Sequence, residues 1–222
     1  MPPALRFVFS SINWRTIESH PIDTVLVDDV LNLIGRQRQV KSAQTDISRP
    51  FEKTWKVGDY YNVDGKEGVV FWVDETGRHG KMVSVNQKRL QWCTDDEYEI
   101  GLTGIATDKS DGMKNLQSIR KIPDWRNKYP AFAWCADHGT DWYLPAIDEL
   151  KELLLNDVVH DKVNGMLDQK GKSVMLSKGK PGFYFSSTEQ GKWGAWSVNM
   201  RDGNTDVGTR HYYDCVRAVS AF

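Results

Sequence analysis

Apolar and polar positions change their period several times along the chain, and each change predicts an element. Ile22, Leu26, Val30 and Leu33 recur at helical spacing and Gly35 follows at the C-cap position, so a helix is expected over Asp23 to Gly35. Arg36 to Lys53 is polar and aperiodic and reads as a linker. Gly68-Val69-Val70-Phe71-Trp72-Val73 is a β-branched and aromatic run typical of a buried strand. A polar turn with two glycines, Asp74 to Gly80, joins it to the alternating Lys81 to Val85, which predicts a hairpin. Cys93 to Gly112 is acidic and Gly-rich and is expected to be loop, after which Asp111 to Ile119 can start a helix with Met113, Leu116 and Ile119 on one side.

Two helices are better marked. Pro130 to Asp137 carries Phe132 and Cys135 three apart, with Gly139 beyond its end. After Pro145, the residues Ile147, Leu150 and Leu154 share a face, with Leu153 alongside and Asp148 and Glu149 in the dipole-favoured first turn. A further helix is expected over Asp157 to Asp168. The pattern then returns to β: Phe183 to Ser187, Trp193 to Met200, a tight turn at Arg201-Asp202-Gly203-Asn204, Thr205 to His211, and Cys215 to Val219. Strands, then helices, then strands describe an α+β domain of antiparallel strands and two to three helices, with its opening and closing strands near each other.

Composition sharpens the boundary. Of nine Trp only Trp14 precedes residue 54, and of eighteen Gly only Gly35. The 222 residues therefore divide into an extension with linker, residues 1–54, and one domain over residues 55–222. Lys+Arg 29 against Asp+Glu 30 gives a net charge of -1, which argues against a nucleic-acid coat or a polybasic membrane binder. No apolar run approaches the roughly 18 residues of a membrane span. Phe7-Val8-Phe9 after Arg6 is too short for a signal-peptide core, so no signal peptide is read in the sequence as given, and localisation stays open. The three cysteines, Cys93, Cys135 and Cys215, include no CxxC pair.

Motifs with specific chemistry fail on spacing. Gly171-Lys172-Ser173 resembles a phosphate loop, but five residues separate Gly165 from Gly171 where the motif needs four. Cys135 and His138 are half of a zinc spacing with no second pair, and Cys135 reads as a small buried hydrophobe. Asp95-Asp96-Glu97 reads as a solvated loop. Asp148 and Glu149 point about 100° apart on a helix, so they are not an acid–base pair. No metal, cofactor or catalytic constellation is expected. The stretch from Trp193 to Asp214 is different. Rigid aromatics alternate there with adaptable polar groups, the composition of paratopes and sugar subsites. The candidate ligand-binding residues are Trp193, Asn199, Arg201, Asn204, Asp206, Thr209, Arg210, His211, Tyr212 and Tyr213, with Trp196, Val198 and Met200 facing the core. Arg201, Arg210 and His211 add positive charge, which favours an anionic ligand.

Four pieces stand in order: Gly68 to Val73 with His79-Gly80-Lys81 downstream, Trp142-Tyr143-Leu144-Pro145-Ala146-Ile147-Asp148-Glu149-Leu150, Tyr184-Phe185-Ser186-Ser187-Thr188-Glu189, and Val216-Arg217-Ala218-Val219. Together they resemble the Lcl C-terminal domain family over residues 55–222. The resemblance implies a variant of the C-type-lectin fold, related in shape to formylglycine-generating enzymes and to the variable proteins of diversity-generating retroelements. The family includes the end domain of a bacterial collagen-like adhesin that recognises sulfated glycosaminoglycans. Three positions depart from its pattern. Ala146 stands where many members carry Ser or Thr, forfeiting a capping box with Glu149, a loss of roughly 1 kcal/mol. Phe185 replaces the usual Trp, and Ala218 stands where several members have Cys. The first 50 residues match nothing in the family.

The resulting expectation is a non-catalytic recognition or adhesion domain of a bacterium or its phage. Its partner would be a cell-surface glycan, of anionic type, or a protein, with a homo-oligomer open and no nucleic acid or membrane insertion. The alternatives are an enzyme on a formylglycine-generating scaffold and a structural fimbrial or phage-tail subunit. The boundary is testable: limited proteolysis should cut between Arg36 and Lys53 and leave a resistant fragment starting near Trp55, since nicking concentrates in exposed polar segments. A first cut inside residues 60–222, with the N-terminal segment protected, would make that segment integral to the fold.

Overall fold

The computed structural model describes residues 53–222 apart from residue 102. The helix expected over Asp23 to Gly35, and the linker as far as residue 52, lie outside the described residues.

Two five-stranded sheets carry the domain. The first has the order β1-β2-β3-β10-β5, built from Tyr60–Val63 (β1), Lys66–Val73 (β2), Gly80–Ser84 (β3), Trp142–Tyr143 (β5) and Val219–Ala221 (β10). The second has the order β4-β9-β6-β7-β8, built from Lys88–Gln91 (β4), Phe183–Gln190 (β6), Gly194–Asn199 (β7), Asn204–Thr209 (β8) and Tyr213–Val216 (β9). All pairings are antiparallel except a parallel bridge of β6 to β9 at Tyr184 and Cys215. The hairpin expected from Gly68 to Val85 is β2 with β3, and the last strand pairs β3 at Val219–Val83, so opening and closing strands share a sheet.

Six helices lie among the described residues, against the two to three expected: Asp95–Ile100 (α1), Gly112–Ile119 (α2), Trp125–Lys128 (α3), Pro130–Ala136 (α4), Ile147–Leu155 (α5) and Asp157–Gln169 (α6). The correction at α1 has a readable cause. Three carboxylates, Asp95, Asp96 and Glu97, fill the first turn, and Gly101 closes the helix in the left-handed conformation at φ 63°. The acidic run taken for a solvated loop is thus a dipole-complemented helix start. Glu97 is buried and paired with Lys128 at 2.8 Å.

One core runs between the sheets and under the helices. Trp142, Leu144, Ile147, Leu150 and Leu154 are buried with Val216 in the same cluster, and Trp196 packs against it half-buried. The layout expected for α5 holds, with Leu150 1% and Leu154 0% exposed. Trp92 is fully buried, its indole meets Phe132 and Tyr129 edge-on, and its Nε1 donates to the Ser186 carbonyl.

Several polar residues of the quoted motifs are also inside. Glu149 is 6% exposed, and its carboxylate accepts four hydrogen bonds: from Ala146 N at 2.8 Å, Gly112 N at 3.1 Å, Tyr143 Oη at 2.7 Å and Lys81 Nζ at 2.7 Å. The donors belong to the N-cap of α5, the start of α2, β5 and β3. Gly112 is needed there, because a Cβ would lie 2.4 Å from the Leu144 carbonyl oxygen. Burial, reinforced by the Glu149 carboxylate, pushes the Tyr143 phenol well up.

The capping of α5 also differs from expectation. Ala146 supplies no hydroxyl, yet the Glu149 half of the box is formed, and the next donors of the helix start are met by other segments. Thr188 Oγ1 accepts from Ile147 N at 3.1 Å and donates to the Asp108 carbonyl. Three of the orphan donors of a helix start are therefore satisfied: Ala146 N by the helix's own Glu149, Ile147 N by Thr188 of β6, and Asp148 N by the Lys109 carbonyl at 2.9 Å. Arg217 is 1% exposed and donates to the carbonyls of Ser84 and Ser173, which ties β3 to the segment after α6. Burial lowers its pKa to about 10.

Replacing Glu149 by Gln should therefore cost about 3 kcal/mol, since an amide turns two acceptor positions into donors facing donors. A urea midpoint within experimental error of the parent would show that this carboxylate does not hold the four elements together.

Candidate functional site

The late ribbon is built as the alternation requires. β7 and β8 pair from Gly194–Thr209 to Asn199–Asn204, and the Asp202-Gly203 turn closes the hairpin, with Gly203 at φ 73°. Val198 and Met200 are buried, Trp196 is half-buried, and Trp193 is 42% exposed at the other end. Phe185 is fully buried against Gly208, where a Cβ would come within 2.8 Å of its ring.

The ten candidate residues fall into two groups. Asn199, Arg201, Asn204 and Asp206 lie at the turn end, and Trp193, Thr209, Arg210, His211, Tyr212 and Tyr213 at the opposite end or beyond it. Strands of six residues place those ends roughly 20 Å apart. At the turn end the side chains brace the hairpin. Asn199 Nδ2 donates to Asp206 at 3.0 Å, Asn199 Oδ1 accepts from Arg201 N, and Asp202 accepts from Asn204 N. Arg201 and Asn204 are exposed.

The other end gathers aromatic rings. Tyr98 of α1 meets the His211 ring edge-on at 4.0 Å and the Trp193 ring at 4.9 Å, and His211 meets Tyr212 at 4.7 Å. Lys192 Nζ sits over Trp193 at 4.4 Å. Tyr212 and Tyr213 are 61% and 57% exposed. Gln91 fixes the arrangement by donating to the His211 carbonyl at 2.9 Å and to Asp95 at 3.0 Å. Thr209, half-buried, accepts at its carbonyl from Tyr212 N at 3.0 Å, which turns the chain out of β8.

Arg210 corrects the expectation. Sequence reasoning placed it on the ligand-facing surface, but it is 2% exposed. Its guanidinium lies 3.7 Å from Glu189, donates to the Lys192 carbonyl and stacks over Trp92 at 5.0 Å. Glu189 in turn accepts from the backbone N–H groups of Gly104 at 2.7 Å and Ala106 at 3.3 Å. The buried acid draws the arginine inward. This removes one of the charges on which an anionic ligand was argued, while α1, the helix that carries Tyr98, also holds Asp95, Asp96 and Glu99. Tyr98 and Lys192 were missed. The Thr94-Asp95-Asp96-Glu97 start, with Gly101 as stop, was the available signal for the helix that carries Tyr98.

The thiols are poorly placed for nucleophilic chemistry. Burial pushes the Cys93 thiol up to about 12, raises Cys135 well above its ordinary value and raises the half-buried Cys215. Among the described residues, no group of three or more His, Cys, Asp or Glu side chains is placed to hold a metal ion.

The chain belongs to the Lcl C-terminal domain family, whose profile matches residues 81–220. Among solved structures it is similar to a fimbrial protein from Bacteroides ovatus, with a TM-score of 0.57 and 19% identity. That match covers 75% of this chain and 49% of the fimbrial protein, so the domain spans about half the length of that relative. At this identity the likeness concerns the fold. No curated protein matches the chain.

Replacing Arg210 by Ala should lower stability by about 3 kcal/mol, because it strands Glu189 in the interior. Replacing Tyr212 by Ala should change it by no more than about 0.5 kcal/mol. Equal urea midpoints for the two variants would return Arg210 to the surface.

Proposed function

We propose that this domain is a non-catalytic recognition module, a variant of the C-type-lectin fold, that binds a cell-surface glycan through the aromatic end of its late ribbon. The observation that carries this reading is the cluster of Trp193, His211 and Tyr212 at the ribbon end with Tyr98 of α1, with successive rings 4.0 to 4.9 Å apart. A rigid aromatic platform loses little conformational entropy on contact. Polar groups surround it: Lys192, Gln91, Asp95 and the Tyr212 and Tyr213 phenols. Trp193, His211, Tyr212 and Tyr213 are the contact residues in this reading, with Thr209 at their edge. Arg201 and Asn204 form a second contact point at the turn, braced by Asn199 and Asp206. The enzyme alternative loses support from three protonated, mostly buried thiols. Lys192 and Arg201 favour an anionic glycan and the α1 carboxylates oppose it, so salt dependence decides the charge class.

A second reading, a structural fimbrial subunit that assembles with copies of itself, draws on the fimbrial relative. In that reading the ribbon would be a subunit contact, and the intact chain would form concentration-dependent oligomers.

The test is a glycan array and a cell-surface pull-down with the intact chain, followed by binding of the selected ligand to Trp193→Ala/Tyr212→Ala. Affinity should fall at least about tenfold while the urea midpoint moves little, as for exposed aromatic anchors. Affinity for an anionic ligand should also fall as salt rises, because exposed charges are screened within about 8–10 Å. Undiminished binding by the folded double variant would remove the site from the ribbon.

A further inference from the structure

A cleft of about 330 Å³ lies between the β2–β3 hairpin and the start of α5, and it uses none of the ribbon residues. Trp72, Lys81, Ser110, Asp148 and Glu152 line it, with the buried Phe71 and Glu149 behind them.

Its most telling feature is the position of Trp72. The β2–β3 ladder pairs Val70 with Met82 and then Trp72 with Lys81, so Phe71 is the extra residue of a β-bulge. Phe71 remains buried at 1%, and Trp72 is turned outward with 43% of its surface exposed. A bulge of this kind re-aims one side chain. An indole displayed this way contributes less to the core than an inward one would.

The polar groups around the indole retain unused capacity. An ammonium carries three donors, and Lys81 gives one to Glu149 at 2.7 Å. Asp148 receives Lys151 on one oxygen at 3.3 Å, and Glu152 receives Asn156 on one oxygen at 3.0 Å. Each carboxylate keeps its second oxygen. The Ser110 hydroxyl, exposed, donates to Asp108 and keeps its lone pairs.

Charge selects the ligand class. An organic cation on the indole would meet Lys81 Nζ, which already stands 6.0 Å from the ring centroid. An anion would meet Asp148 and Glu152. An uncharged ring with one apolar face and several hydroxyls meets neither penalty, because each hydroxyl can accept from Lys81 or donate to a carboxylate. We propose that this cleft is a subsite for an uncharged pyranoside, stacked on Trp72 and held through its hydroxyls by Lys81, Asp148 and Glu152.

The test uses the intact chain labelled with ¹⁵N, with the Trp72 indole N–H assigned through Trp72→Phe. The methyl glycosides of glucose, galactose, mannose and N-acetylglucosamine are titrated one at a time. At least one should shift the Trp72 indole resonance saturably, with Kd on the order of millimolar. Glu152→Gln should weaken that binding roughly tenfold, as for loss of a charged hydrogen bond, and Trp72→Ala, read on the backbone amides of Lys81 and Glu152 that shift in the parent, should abolish it. Should Trp72→Ala fail to fold, Glu152→Gln decides alone. Tyr212→Ala should leave the titration unchanged, which separates this site from the ribbon. The proposal is overturned if none of the four glycosides moves the Trp72 resonance, if only tetramethylammonium does, or if Tyr212→Ala removes the effect.

Discussion

The carboxylate of Glu149 is the interaction on which the domain's arrangement depends. Four donors from four elements converge on its two oxygens: the α5 N-cap, α2, β5 and β3. A carboxylate at this depth is tolerable only because every acceptor position is used and one donor, Lys81, carries charge. Its geometry also fixes the rest. The first sheet is locked to α5 through Lys81 and Tyr143, and α2 is pulled so close that only glycine fits at residue 112. The apolar face of α5 then has one orientation available, over the core that both sheets share.

Glu189 repeats the device on the second sheet. It sits at the end of β6, takes backbone N–H groups of the segment 104–106 and faces Arg210. Between these two acids, Thr188 closes the α5 start, and Ser187 accepts from Asn115 of α2 at 2.9 Å. The strand that carries this polar series is paired on one side to β7 and bridged on the other to β9. The exposed ribbon inherits its rigidity from that anchoring. Its aromatic end is fixed by Arg210 beneath it and by α1 beside it, both tied to buried acids.

Much of the architecture was legible because periodicity is a local signal. The face of α5, the β2–β3 hairpin and the Asp-Gly turn follow from spacing alone. Strands β1, β4 and β5 and helices α1 and α3 were not, for physical reasons that differ. Trp142–Tyr143 is too short to show alternation, and Lys88–Gln91 is a polar edge strand held by β9 rather than by its own pattern. At the ribbon, composition identified a stretch rich in contact-type residues but could not sort them. Thr209-Arg210-His211 reads as uniformly polar, yet Arg210 turns inward because Glu189, 21 residues earlier, leaves a buried charge to be met. Tyr98 joins the rings only through tertiary contact, and the Thr188 hydroxyl reaches the α5 start in the same way.

These contacts also explain why membership of the family and the identity of the ligand are separate questions. Six polar residues of the quoted motifs, Glu149, Ser186, Ser187, Thr188, Glu189 and Arg217, are buried and hydrogen-bonded within the protein. None of these six faces solvent, so they hold the scaffold. The surface aromatics and charges, by contrast, stand on a frame that does not need them, and exposed substitutions of that kind usually alter stability by no more than about 0.5 kcal/mol. A scaffold held by these internal contacts leaves the outward ribbon and Trp72 free to change their chemistry without refolding, whereas Lys81 of the cleft is also a donor to Glu149. In the proposed reading, the chemistry of the ligand is set by Trp72, Trp193, Tyr212 and their neighbours.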